Sequence, residues 1–279
     1  MPSTSQTRPR KVDFDDPPVV ETVLGVRFAP LPGWDIPHFG LFWNGIRNDY
    51  PRFEVHPPIG TGAEIELRLS PQQREGQRAV IEFGSGLPIR CWFYDSSETT
   101  LIQVQNDCFI HNWRKVSGIE TYAHYDGIRP LFEAAWARFR EFVTAERIAS
   151  PNIWQCEVTY VNHLDRGIGW DGFADLPQVI PSWVGRGSGG FLPAPEAVHI
   201  SALYPLPEKA GSLQIVLQPA VRQKDGKEII QLTLSARGKP PSSHDDDIMK
   251  WLDTGHDWVV QGFKDFTSRK MHDIWRVKV

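Results

Sequence analysis

The chain has 279 residues, 41% of them hydrophobic and 23% charged, with a formal net charge of −4. This is ordinary globular composition, long enough for one large domain or two small ones and for a core that needs no disulfide staples. It excludes a globally basic surface, and no apolar run approaches the ~20 residues that a membrane-spanning helix requires.

Residues 1–16, MPSTSQTRPRKVDFDD, read as a disordered polar arm without the apolar centre of a secretory leader. Pro17-Pro18 opens the ordered chain. Val19–Phe28 is β-branched and bounded by prolines, and alternation places Val20, Thr22, Leu24, Val26 and Phe28 on one face of a strand. Ile36, Phe39, Trp43, Ile46 and Tyr50 then recur at helical spacing, with Asp35 as N-cap, Pro37 in the first turn and Pro51 as the stop. Four strand runs follow, at 64–69, 78–83, 89–94 and 101–113, the last folded at Asn106-Asp107. A long amphipathic helix, capped by Asp126, buries Ile128, Leu131, Phe132, Ala135, Trp136, Phe139, Phe142 and Val143.

The same order begins again after Pro151. Residues 154–163 form a strand with Cys156, Val158, Tyr160 and Asn162 on one side and Glu157, Thr159, Val161 and His163 on the other. A helix falls within 170–180, GRGSGG is a connector, and strands are expected at 197–204, 212–219 and 228–236, with Asp225-Gly226 turning the last hairpin. Helices at 248–252 and 256–266 and a short one carrying Met271, Ile274 and Trp275 complete the chain.

The predicted fold is α+β. Two tandem β-α-β(3–4)-α units, residues 17–150 and 151–279, carry antiparallel sheets that join into one continuous curved or saddle-like sheet, covered by helices on one face. This element order resembles the TATA-binding-protein-like and helix-grip folds. The segments PPVVETVLGVRFAPL, HFGLFWNGIRNDYP, LIQVQNDCFIHNWRK, CEVTYVNHL and MHDIW span both units. In them the chain resembles a sporadically distributed bacterial family of about 250 residues with no established function. That resemblance implies a bacterial cytoplasmic protein and brings no catalytic residues.

Three cysteines without CxxC spacing, each in an apolar run, read as buried thiols of a reducing cytoplasm. The eleven tryptophans are spread along the chain and read as packing residues. P-loop, dinucleotide, zincin and nucleophile-elbow motifs are all missing. No catalytic, metal or cofactor site is therefore assigned.

Polar residues on the central strands are the remaining clue. Gln103, Gln105, His111, Asn112 and Arg114 lie in the first unit, and Glu157, Thr159, Asn162 and His163 in the second. Amides, a carboxylate and a guanidinium on a sheet face fix the orientation of a ligand or of a partner's backbone. The plainer alternative is a solvated face or a stitch between the units. The first functional reading is thus a non-enzymatic binding or accessory protein that recognises a protein partner, and a sporadic family suits a defence or toxin-neutralising system. The second is a metal-dependent or acid/base hydrolase or nuclease using Glu157, His163 and His111. The third is a nucleic-acid or small-ligand module; nucleic acid ranks below a protein partner because Asp13, Asp15, Asp16, Asp265 and Asp273 interrupt both basic clusters.

Overall fold

The computed structural model describes residues 12–60, 89–185 and 191–278. The strands expected at 64–69 and 78–83, and the glycine-rich loop from residue 186, lie outside the described residues. Nine strands form one antiparallel sheet: β2 (Val19–Phe28), β3 (Arg52–His56), β4 (Arg90–Tyr94), β5 (Thr100–Gln105), β6 (Cys108–Arg114), β7 (Ile153–Asp165), β8 (Ile200–Pro205), β9 (Ser212–Arg222) and β10 (Lys227–Gly238). A separate ribbon pairs β1 (Asp13–Phe14) with β11 (Val277–Lys278). The five helices among the described residues are α1 (Ile36–Ile46), α2 (His124–Ala145), α3 (Leu176–Val179), α4 (Asp245–Phe266) and α5 (Arg269–Ile274). The fold is α+β, with sheet order β3-β4-β5-β6-β2-β7-β10-β9-β8.

The centre of the sheet is the antiparallel pair β2–β7, in register from Glu21 opposite Val161 to Arg27 opposite Gln155. Alternation sends Leu24, Val26 and Phe28, with Cys156 and Val158 beside them, to one face, where each is buried. Glu21, Arg27, Glu157 and Thr159 go to the other. The alternation expected for β2 fails at one place. A register shift between Val19 and Glu21 marks a bulge, so Val19, 3% exposed, takes the core position expected of Val20.

Helices α1, α2 and α4 pack on the apolar face. Phe28 meets Trp136 and Phe139 of α2 at ring-centroid distances of 6.2 and 5.9 Å, and Phe42 of α1 reaches Phe93 and Phe139 at 5.7 and 5.6 Å. The two long helices are tied together by Arg129, whose Nε and Nη2 donate to Asp253 at 2.6 and 3.2 Å.

Several local expectations are corrected. Residues 248–266 form one helix, not two. Gly255, in the gap between the two expected helices, allows close approach to the sheet, since a Cβ there would sit 3.0 Å from Val158 Cγ2. Helix α2 starts one turn earlier than expected, so Asp126 lies in its first turn, where the dipole favours a carboxylate, and does not cap it. Asp13 and Phe14 of the expected arm are ordered, and Phe14 packs edge-on to Phe263 at 5.3 Å.

His111 also departs from expectation. It stands between Leu24 and Ile102 on the helix-covered face, is 0% exposed, and has no hydrogen-bond partner at either ring nitrogen. Burial alone pushes its imidazole down to about 4. The unfolded chain therefore takes up a proton that the folded one refuses. Stability from this group is full above its ordinary value of 6.5 and is lost as pH falls towards 4. Between pH 7 and pH 4.5 the loss is about 2.5 kcal/mol. His111→Leu should lose that much less than the parent in paired urea titrations at the two pH values; equal losses would show that the imidazole is not buried neutral.

Candidate functional site

The face of the sheet away from the long helices carries most of the polar strand residues. In the half built from β3–β6 and β2 they are bonded to one another. Arg90 Nη1 donates to Gln103 Oε1 at 3.0 Å, Gln103 Nε2 to Asn112 Oδ1 at 2.7 Å, and Asn112 Nδ2 to Glu21 Oε1 at 2.7 Å. The chain of bonds crosses four strands and ends on a carboxyl that burial pushes up, against the lowering effect of Asn112 and Arg114. Gln105 accepts the Ile59 backbone N–H at 2.9 Å through Oε1 and donates to Asp107 at 2.7 Å. Gln103, Gln105 and Asn112 are all buried, so these amides bind parts of their own chain.

The corresponding set on β7 and β10 is also self-satisfied. Arg237 grips Glu157 with two parallel bonds, Nε to Oε2 at 3.0 Å and Nη2 to Oε1 at 2.9 Å, and Thr159 donates to Glu157 at 2.8 Å. Burial pushes the Glu157 carboxyl up, but the guanidinium overrides it and holds the group below its ordinary value.

At the outer corner the aromatic rings are likewise occupied. Tyr94 lies under the guanidinium carbons of Arg52 and Arg114, at 4.1 and 4.9 Å from its centroid, and Trp92 stacks on His56 at 4.0 Å. Each ring already has a cation or an imidazole as its partner.

An open groove of about 830 Å³ remains where β2 begins and β7 ends. Glu21, Arg114 and His163 line it, and the bulge in β2 turns Val20 towards it as well. Burial and the nearby Arg222 push the His163 imidazole down, so it is neutral at neutral pH. Arg222 itself is held by Asp165 at 2.8 and 3.2 Å and by Asp225 at 2.7 Å. Four aliphatic side chains of this groove are exposed: Ile119 by 90%, Ile168 by 50%, Val116 by 40% and Ile274 by 36%.

The nine residues read from the sequence thus separate into four groups. Arg114 and His163 meet in the groove. Gln103, Gln105 and Asn112 form the internal network. Glu157 and Thr159 belong to the Arg237 pair. His111 and Asn162 face the helices on the opposite side of the sheet, where Asn162 Nδ2 donates to the Leu232 carbonyl at 3.0 Å. His111, Glu157 and His163 therefore do not converge, and among the described residues no three His, Cys, Asp or Glu side chains gather as a metal site. The three cysteines are buried and burial pushes their thiols up, Cys108 to about 12, which removes them as nucleophiles.

Sequence reading missed Glu21 and Arg237. The signal for Glu21 is its place on the wet side of an otherwise apolar strand. It allowed a small-ligand site but, Asn162 apart, read none of the residues lining a second, largely aromatic cavity on the helix side as site residues, because they come from six distant segments.

Glu157→Gln leaves Arg237 half-buried without its counter-charge and should destabilise the fold by about 2 kcal/mol. It should also flatten the acid limb of stability, because a lowered carboxyl contributes above its unfolded value and loses that contribution as pH falls. Urea unfolding at pH 7 and pH 4 checks both. Among the described residues no helix is long and apolar enough to cross a membrane. No protein-family model matches the chain, and no curated protein matches it.

Proposed function

We propose that the chain is a non-enzymatic binding protein, built of two tandem β-α-β-α units, that recognises a protein partner through the groove at Glu21, Arg114 and His163. The strand order supports the tandem reading. The first strand of each unit, β2 and β7, pairs with the last strand of its own unit, β6 and β10, and with the other first strand at the centre. Each unit carries a helix of 22 residues after its last sheet strand.

The observation that carries the partner reading is the ring of exposed Val116, Ile119, Ile168 and Ile274 around a floor bearing both signs of charge. Exposed aliphatic side chains gathered at one concave place mark interaction surfaces, and a mixed-charge floor fixes the orientation of the bound chain. Among the described residues, the internal networks elsewhere on this face leave the groove open to a partner.

A photo-crosslinker placed at Ile119 in the native host should trap one specific protein. Ile168→Asp should weaken the interaction with that protein at least tenfold in a binding titration, with the melting temperature unchanged. Binding that survives Ile168→Asp, or no specific adduct, would overturn the assignment.

A further inference from the structure

The second cavity has a volume of about 310 Å³ and lies on the helix side, between the β1–β11 ribbon, the start of α2, the middle of α4 and strand β7. Its walls are largely aromatic and aliphatic, with Phe14, Tyr125 and Phe263 prominent among them. An apolar cavity of roughly 150 Å³ is enough to hold benzene, so this one has room for a bicyclic ring.

What the lining selects follows from which of its polar groups are already held. Asp13 Oδ1 accepts the Phe14 N–H at 2.9 Å and faces His124 Nδ1 at 3.4 Å. Lys278 is paired with Asp15 at 2.5 Å, and Asp126 is engaged as well. The buried hydroxyls have partners too. Tyr125 donates to Asp253 at 2.8 Å, and Tyr160 Oη lies 2.9 Å from His256 Nδ1. Tyr125 also stacks on that imidazole at 4.0 Å and 3°, which makes the aromatic wall rigid. A charged guest would shed its water and find the counter-charges committed elsewhere, so the cavity favours a neutral one.

Asn162 is different. It lines the cavity and is 1% exposed. Its Nδ2 donates to the Leu232 carbonyl at 3.0 Å, which fixes the amide orientation and leaves Oδ1 as a preset acceptor. We propose that this cavity binds a neutral planar aromatic molecule with a single hydrogen-bond donor, of the indole or phenol kind. The ring lies against the aromatic wall, and its N–H or O–H donates to Asn162 Oδ1. Ring contacts supply the affinity. The donor supplies the selectivity, because a guest without one leaves the buried amide oxygen unpaired. The groove opens on the opposite face of the sheet, and the proposal does not rest on the partner reading.

The test is calorimetric titration of the full chain with indole, benzofuran, tryptamine and indole-3-acetate. Indole should bind saturably and raise the melting temperature. Benzofuran keeps the shape and replaces the N–H by an oxygen, and it should bind at least tenfold more weakly. The tryptamine cation and the indole-3-acetate anion should each be weaker by the same margin. Val260→Trp fills the cavity and should abolish indole binding. Asn162→Leu should cut indole affinity at least tenfold and leave benzofuran binding as it was, a selective loss that a general disturbance of the fold would not produce. Thermal melting of both variants separates lost binding from lost fold, and the indole–benzofuran comparison on the parent chain decides the matter if a variant does not fold. The proposal is overturned by any of four results: no saturable indole binding, benzofuran or a charged compound binding as tightly as indole, indole binding unaffected in folded Val260→Trp, or equal losses of indole and benzofuran in folded Asn162→Leu.

Discussion

The pairing of β2 with β7 is the constraint on which the rest of the molecule depends. The two strands are neighbours in the sheet although more than a hundred residues separate them, and their register assigns every side chain of the sheet centre to one face or the other. A slip of one residue would bring Glu157 under the helices and turn Val158 to the wet face if β7 moved, or do the same to Arg27 and Val26 if β2 moved. That exchange would bury unpaired charge and expose apolar surface at once, so the register is strongly specified. The Phe28 contacts with α2 and the Gly255 approach of α4 to Val158 both anchor to this pair.

The bulge at Val19–Glu21 shows how one extra residue serves both faces. On its core side it seats Val19 beside Asn162 at the aromatic cavity, and on the other it lets Val20 and Glu21 share the groove. A regular strand would give one of these sites a side chain of the wrong parity. The two concave places of the molecule are thus positioned by a single irregularity in its most central strand, on opposite sides of the same backbone.

Much of the fold was legible in the sequence because it is written locally. Alternation marked β2 and β7, strand runs were read at β9 and β10, the Asn106-Asp107 and Asp225-Gly226 turns fall between the strands they were expected to join, and the apolar stripe of α2 is buried or partly buried except at Leu131, which is exposed. The candidate sites were legible only in pieces. Gln103, Gln105 and Asn112 have the composition of a recognition surface, but whether an amide meets a partner or its own chain depends on Ile59 and Glu21, which sequence spacing does not bring near them. His111 looked like its neighbours Asn112 and Arg114, and only the parity of β6 sends it into the core. Gly255 lies in the gap left between two expected helices, where glycine in a helix interior costs roughly 1 kcal/mol, and in the fold it lets α4 approach Val158 closely.

The short β1–β11 ribbon gives the molecule a mechanical character of its own. Its rungs, Asp13 with Lys278 and Phe14 with Val277, are loaded from the same end when tension is applied across residues 12 and 278, so they separate in succession like a zip and never share the load as in shear. The nine-stranded sheet is shielded until both rungs, and the bonds of the Asp15 and Asp16 N–H groups to the Arg276 and Trp275 carbonyls behind them, are gone. Val12, Phe14 and Lys278 belong to the wall of the aromatic cavity, so the first event under force is the opening of that compartment, with the sheet behind it still intact.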